Sequence, residues 1–565
     1  MAMTRPVFAF LLAFSAASTL APAGSMYAQS APQVMHHHHD EAPTPDEKLG
    51  QVSFPTSCAA QSQVSIERGI ALLHSFGYTL AEMQFEGIAK ADQACAMAHW
   101  GVAMTQYQEL WQHPTPEQLK RGAEEMAKAR ALAEPPAQIT PRERAYIAAL
   151  SAFFDSADAS YQQRADAYEA KMNALHREFP DDVEGAAFDA LSMIASVPAG
   201  DTSLTHEHQA LAILVPLFAA HPDHPGLAHY IIHTCDTPAL AADGLSAASE
   251  YARIAPSSPH ALHMPGHIFA RLGMWQEDID SNLASVAASE KAEAAGQPGA
   301  AHQMHAEEFL IYAYLQIGQD EKARILTAGM PKIGRQMAAM PGMDDMKEIG
   351  PFFDNELAAI YAVEMHDWKA AAALQPEPGS PAYESFDTYW GQGIAAGHLR
   401  DAALAKAALA SLDRDIEALK GSPMEAYASE SIRIKRDEMI GWQAFAEDHP
   451  DAAVVAMRKA ADQQDKLGQD EVDIPAREML GDLLLLEHKP QEALVEYRVA
   501  LKLSPNRLNG LLSAGKAAEE AGHPEEALAF YKAAAIQTNS GTHSGRPEVA
   551  HAVKAAGTAV VAKGE

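Results

Sequence analysis

Basic residues are scarce in this sequence. Its 565 residues carry 42 Lys and Arg against 75 Asp and Glu, a formal charge of −33, and no run of Lys or Arg could follow a phosphate backbone. That balance argues against nucleic acid and anionic membranes as partners. Long apolar runs are missing as well. After residue 20 none reaches the ~18 to 20 residues a membrane helix needs, so no membrane span is expected. Sustained alternation of β-branched residues is also absent, while Ala, Leu, Glu and Met abound, which points to an all-α chain. No nucleotide cofactor is expected.

The chain has only three cysteines. The N-terminus shows Arg5, an apolar run at 7–20 and an Ala-Pro-Ala at 21–23, the pattern of a secretory signal peptide cleaved between Ala23 and Ser30. Secretion, to the periplasm in particular, is therefore expected, and no cysteine follows the apolar run closely enough to carry a lipid anchor. In an oxidising compartment Cys58, just before the first helix, and Cys95, at the start of the second helix pair, are expected to form a disulfide clipping the N-terminal cap. The alternative is two buried thiols. Cys235 is left unpaired, either as a small packed residue or as a soft ligand.

What is abundant is histidine at helical spacing. His229 and His233 stand four apart, His263 and His267 four apart, and the second pair follows the first by 34 residues. Pro225 and Pro259 keep the same offset, so the period belongs to the backbone as well: it is one repeat of a helix-pair solenoid. His229, His233 and Asp236 share one helix face, as do His260, His263 and His267. After an apparent insertion around 292–302, His305, Glu308 and Tyr312 repeat the spacing. From about residue 63 onward the whole chain reads as helix pairs. Pro490, Ala493 and Tyr497 recur 34 residues later as Pro524, Ala527 and Tyr531.

Leu262, Gly266, Phe269, Gly273 and Trp275, and again Leu480, Gly481, Ala493, Tyr497 and Ala500, resemble the tetratricopeptide repeat family. More narrowly, residues 229–233 (His-Tyr-Ile-Ile-His) and 260–275 resemble a group of secreted bacterial repeat proteins carrying these segments. The resemblance implies an all-α superhelical solenoid whose first helices line a concave face that binds a protein or small-molecule ligand. It places His229, His233, Asp236, His260, His263, His267, His305, Glu308 and Tyr312 on that face. Pro265 departs from the pattern, and a kink or late helix start is expected there. The chain is accordingly divided into a signal peptide (1–28), a disordered histidine-containing segment (29–60), N-terminal helical repeats (61–220), central repeats with the histidine-lined face (221–330), irregular repeats (331–470), a C-terminal repeat pair (471–536) and a capping tail (537–565).

Histidines four apart on a helix can bring two imidazoles to one ion at about 2.0–2.1 Å. Repetition at the helix-pair period lets neighbouring pairs converge on one or two transition-metal ions, zinc, copper or iron, with Asp236 and Glu308 as oxygen ligands or supporting acceptors. The bland alternative is a polar, hydrogen-bonded groove wall. With an open metal position, Glu308 or Asp236 would be the general base and Tyr312 an oxyanion donor, making a hydrolase or oxidase. The His-Glu-x-x-His motif of zinc hydrolases is absent, residue 230 being Tyr. Met337, Met340, Met343 and Met346, spaced by three, and the four histidines at 36–39 raise a third reading, copper handling, because thioether sulfur suits Cu(I). Adaptable packing is the alternative for those methionines.

Overall fold

The computed structural model describes residues 47–110, 113–135, 138–156, 158–198, 200–295, 300–339, 349–377, 380–420 and 431–561. The N-terminal stretch 1–28, the histidines at 36–39, Met340, Met343, Met346 and the side chain of Met337 lie outside the described residues. Among those described there is no strand, and the chain is an all-α solenoid of antiparallel helix pairs stacked in sequence order. The central units pair Pro225–Cys235 with Ala241–Ile254, then Pro259–His263 and Pro265–Arg271 with Trp275–Ala294, then Ala300–Gln316 with Asp320–Ala338. Ala476–Leu486 with Pro490–Leu503 and Leu508–Glu520 with Pro524–Gln537 form the last two pairs, and Pro547–Val561 packs on the end.

Local chemistry sets these starts. His224 and Ser258 cap the two histidine helices by accepting from the Leu227 and Ala261 N–H groups, each with proline at the first helical position. Thr237 and Pro238 stand between the helix that ends at Cys235 and the one that follows. They form a turn in which Thr237 Oγ1 accepts from Leu240 N–H, and the helix starts at Ala241. At Pro265 the ring removes one hydrogen bond and divides the helix at Met264, whose dihedrals (−53°, −34°) stay helical, so the axis continues.

Pairs lock through glycine. A Cβ at Gly481 would stand 2.6 Å from the Tyr497 ring and one at Gly515 2.5 Å from Tyr531; in the central unit, a Cβ at Gly266 would meet Asn282 and Asp278 at 2.7 Å. Each partner lies sixteen positions after its glycine (481 to 497, 515 to 531, 266 to 282). Asn282 thus occupies a site that is tyrosine in the C-terminal repeats.

Two features depart from a simple linear stack. Residues 48–57 do not belong to a disordered arm: they cross the N-terminal units as an extended strap. Lys48 N–H donates to Ser257, Gln51 N–H to the Asp223 carbonyl, Ser53 N–H to Glu184 and Ser57 N–H to Glu143. Phe54, fully buried, packs on Trp100 and Tyr146. Partners 86 to 209 residues away hold this segment, which its polar, proline-containing composition does not reveal. The expected Cys58–Cys95 disulfide is present just beyond it.

The second departure is a return of the C-terminal units onto the central ones. Trp275 donates to the Asn506 carbonyl at 2.8 Å, Arg546 binds the Leu315 carbonyl and Asp320, and Gly273, at φ +65°, lies where a Cβ would strike the Pro505 carbonyl. Arg507, buried, pairs with Glu364 and Glu478. No helix among the described residues is long and apolar enough to cross a membrane.

Candidate metal centre

Seven imidazoles run in file along the central first helices. Ring centroids are 4.6 Å apart for His229 and His233, 4.9 Å for His229 and His260, 5.6 Å for His260 and His302, 6.4 Å for His260 and His263, and 4.4 Å for His263 and His305. His267 lies 4.8 Å from His263. Within the file, the ligand atoms of His229, His233 and His260 lie within 4.8 Å of one another, and those of His263, His267 and His305 do the same. The sequence pairs of a single helix are therefore regrouped into two trios, each drawing rings from neighbouring helices.

In the second trio every Nδ1 faces an oxygen acceptor. His263 Nδ1 is 2.6 Å from Asn282 Oδ1, whose amide nitrogen donates to Asp278 and so leaves that oxygen as acceptor. His267 Nδ1 donates to Asp236 at 3.0 Å and to Glu471 at 3.2 Å, and His305 Nδ1 to Glu308 at 2.9 Å. A neutral imidazole with its proton on Nδ1 has its lone pair on Nε2, which is how acceptors behind metal-bound histidines fix the coordinating nitrogen. In the first trio His229 Nδ1–H donates to the His74 carbonyl at 2.6 Å, and the buried Nε2 of His233 has no hydrogen-bond partner.

Facing nitrogens are already close: His229 Nε2 to His260 Nε2 is 3.0 Å and His263 Nε2 to His267 Nε2 is 2.9 Å. Two nitrogens on one tetrahedral ion at about 2.0–2.1 Å sit about 3.3 Å apart, so the rings need to open by only about 0.3 to 0.4 Å. Burial holds His229, His260 and His263 well below the ordinary imidazole range and His233 down to about 3, so these rings are neutral and able to coordinate. His267 differs. Burial would lower it, but the Asp236 and Glu471 carboxylates raise it to about 10, making it the donor to His263.

Phe76 closes one side of the first trio. Held at φ 53°, it sets its ring 4.4 Å from His229, 5.3 Å from His233 and 5.7 Å from His260.

The oxygen candidates take other roles. Asp236 serves His267 and also accepts from Arg271 Nε at 3.0 Å, while Arg271 lies 3.1 Å from Glu471. Burial would raise Asp236, and Arg271 and His267 reverse this and hold it well below the usual carboxylate range. With a guanidinium on both carboxylates, Asp236, His267 and Glu471 do not form a cation site of their own. Glu308 stands behind His305 as its acceptor. Tyr312 is not part of either trio: its hydroxyl donates to the Asp473 carbonyl at 2.5 Å and accepts from Arg507, in the contact that joins central and C-terminal units.

Two further clusters are already satisfied. Cys58 and Cys95 near Asp92 are consumed by the disulfide. His74 and His224 flank Glu184 at 2.6 and 3.1 Å, with Tyr230 on the other nitrogen of His74. Cys235 is buried and free, its thiol pushed up to about 12 by burial, so it is a packed residue and not a ready thiolate.

Glu471, Asn282, Arg271, His302 and Phe76 complete the site but were not singled out by spacing. Only Asn282 leaves a signal in sequence, as a polar residue at the repeat position held elsewhere by tyrosine.

No protein-family model matches the sequence, and no curated protein is similar to it. Solved structures overlap it weakly. The human IFIT1 dimer with m7Gppp-AAAA shares 11% identity over 78% of this chain and 90% of that one at a TM-score of 0.34. The P58(IPK) TPR domain shares 14% over 68% and 99% at 0.21. In the APC/C Cut9–Hcn1 hetero-tetramer the values are 11%, 88%, 96% and 0.28. Overlaps of this size carry no weight beside the helix pairing and glycine register of the chain itself.

Proposed function

We propose that this chain is an exported tetratricopeptide-type solenoid whose concave face binds a ligand or partner and whose distinctive element is a histidine-centred transition-metal site. One observation carries the metal reading: His263, His267 and His305 each have Nδ1 on an oxygen acceptor, which sets three Nε2 lone pairs as ligands from three helices. Export is supported by the apolar run at 7–20 with its small-residue cleavage pattern, and by the disulfide between Cys58 and Cys95.

Neutral imidazoles suit zinc, copper and iron. The two carboxylates considered as general base, Asp236 and Glu308, are both engaged with imidazole Nδ1 atoms, an arrangement that favours metal binding or redox chemistry over hydrolysis. Elemental analysis by ICP-MS of the mature, untagged chain beginning after residue 40, beside His233→Ala/His267→Ala, tests the reading. One or two equivalents of Zn, Cu or Fe are expected, lost in the double variant. A folded protein that takes up none after reconstitution would leave a histidine-lined binding groove instead.

A further inference from the structure

We propose that the two trios hold one copper pair, and that their common open side takes dioxygen. This rests on the metal-binding reading and goes further in nuclearity, metal and substrate. Each trio offers three imidazoles, and the short middle helix Pro259–His263 gives one ring to each, His260 to the first and His263 to the second. The two centres are thus built on opposite ends of one five-residue segment, with His302 beside the first.

Burial differs along the file in a consistent way. His229, His260, His263 and His267 are buried, whereas His233, His302 and His305 are partly exposed. His233 comes from one first helix, Pro225–Cys235, and His302 and His305 from another, Ala300–Gln316, and the three mark the side on which both centres meet the groove. A small ligand entering there reaches both ions.

The donor set selects the metal. Both trios consist of nitrogen alone; in the second, carboxylates stand behind His267 and His305 on Nδ1, and in the first the His74 carbonyl stands behind His229. Imidazole sites favour copper at the top of the divalent affinity order.

Paired Cu(I) ions supply what a single ion does not. Each gives one electron, dioxygen accepts both, and two protons from water complete the balance: 2 Cu(I) + O₂ + 2 H⁺ yields 2 Cu(II) + H₂O₂. The O–O σ bond is kept and two O–H bonds form.

The test loads the mature chain with Cu(I) without air, counts copper by ICP-MS, then adds oxygenated buffer while following oxygen uptake and the EPR signal. Two coppers, one O₂ per chain and an EPR intensity well below two isolated spins are expected. His233→Ala and His305→Ala, at the exposed edge of each trio, should each hold one copper and lose the fast one-per-chain uptake. One copper in the unaltered chain, or two with full two-spin intensity and half-amplitude uptake surviving in each variant, would overturn the pair. Zinc binding without copper binding would overturn it while sparing the metal-binding reading. Uptake of no metal would remove both.

Discussion

Asn282 shows how much one side chain can carry. Its amide is oriented by Asp278 and its oxygen fixes the proton of His263 on Nδ1. Acceptors of this kind typically contribute 10- to 100-fold in metal affinity. Asn282→Ala should therefore weaken metal binding by about that factor in a competition titration while leaving the helical circular dichroism unchanged; unchanged affinity would deny it the role. Glu438 sets a pH dependence far from the histidines. Burial raises its carboxyl to about 8, against an unfolded value of about 4.3, and Trp390 Nε1 donates to it at 2.6 Å. The folded state keeps this proton where the unfolded state has lost it, so stability should fall as pH rises from about 4.3 to about 8, by at most about 1.4 kcal/mol per unit, and level off above. Urea midpoints at pH 5 and pH 8 would check this: Glu438→Gln should shrink the difference, with the raised carboxyls of Asp354, Glu471 and Asp482 carrying part of the rest. At this scale the sequence revealed the histidines that cluster, since i and i+4 on a helix is a local rule. It did not reveal Glu471, which reaches His267 from 204 positions away, nor that Tyr312 would be drawn into an arginine contact.

Helices and turns were the most legible level, because capping serines and threonines, prolines at first positions and repeated glycines act within a few residues. Pro265 interrupts hydrogen bonding as its chemistry requires, yet the axis runs on because Met264 keeps helical dihedrals. The strap was misread for the converse reason: residues 48–57 have no period of their own, and their order comes from Phe54 and from carboxylates on distant helices. Just past the strap, Cys58–Cys95 closes a 37-residue span, for which loop entropy gives about 3–4 kcal/mol of stabilisation. Cys58→Ser/Cys95→Ser should lose about that much, first as hydrogen-exchange protection at 48–107. Loss of protection spread evenly over the chain would contradict this.

A linear solenoid would confine each perturbation to neighbouring repeats. Here the chain returns on itself, so damage in the central units also reaches the C-terminal ones. Arg507 is the pin of that return, buried between Glu364 and Glu478 and against Tyr312. Removing one member of such a buried pair leaves uncompensated charge at about 3–5 kcal/mol. Arg507→Ala should therefore lower the melting temperature and expose 300–316 and 476–537 together in segment-resolved exchange, with 63–195 unchanged. The reach of Glu471 to His267 has a further bearing on how the protein is made. A ribosome adding 5–20 residues per second leaves roughly 10 to 40 s between the two residues. For that interval His267 has Asp236 alone, and its second acceptor arrives only with residue 471. A fragment that stops before residue 469 would therefore emerge with His267 and Arg271 lacking the acceptors that Glu471 and the Gln469 carbonyl supply.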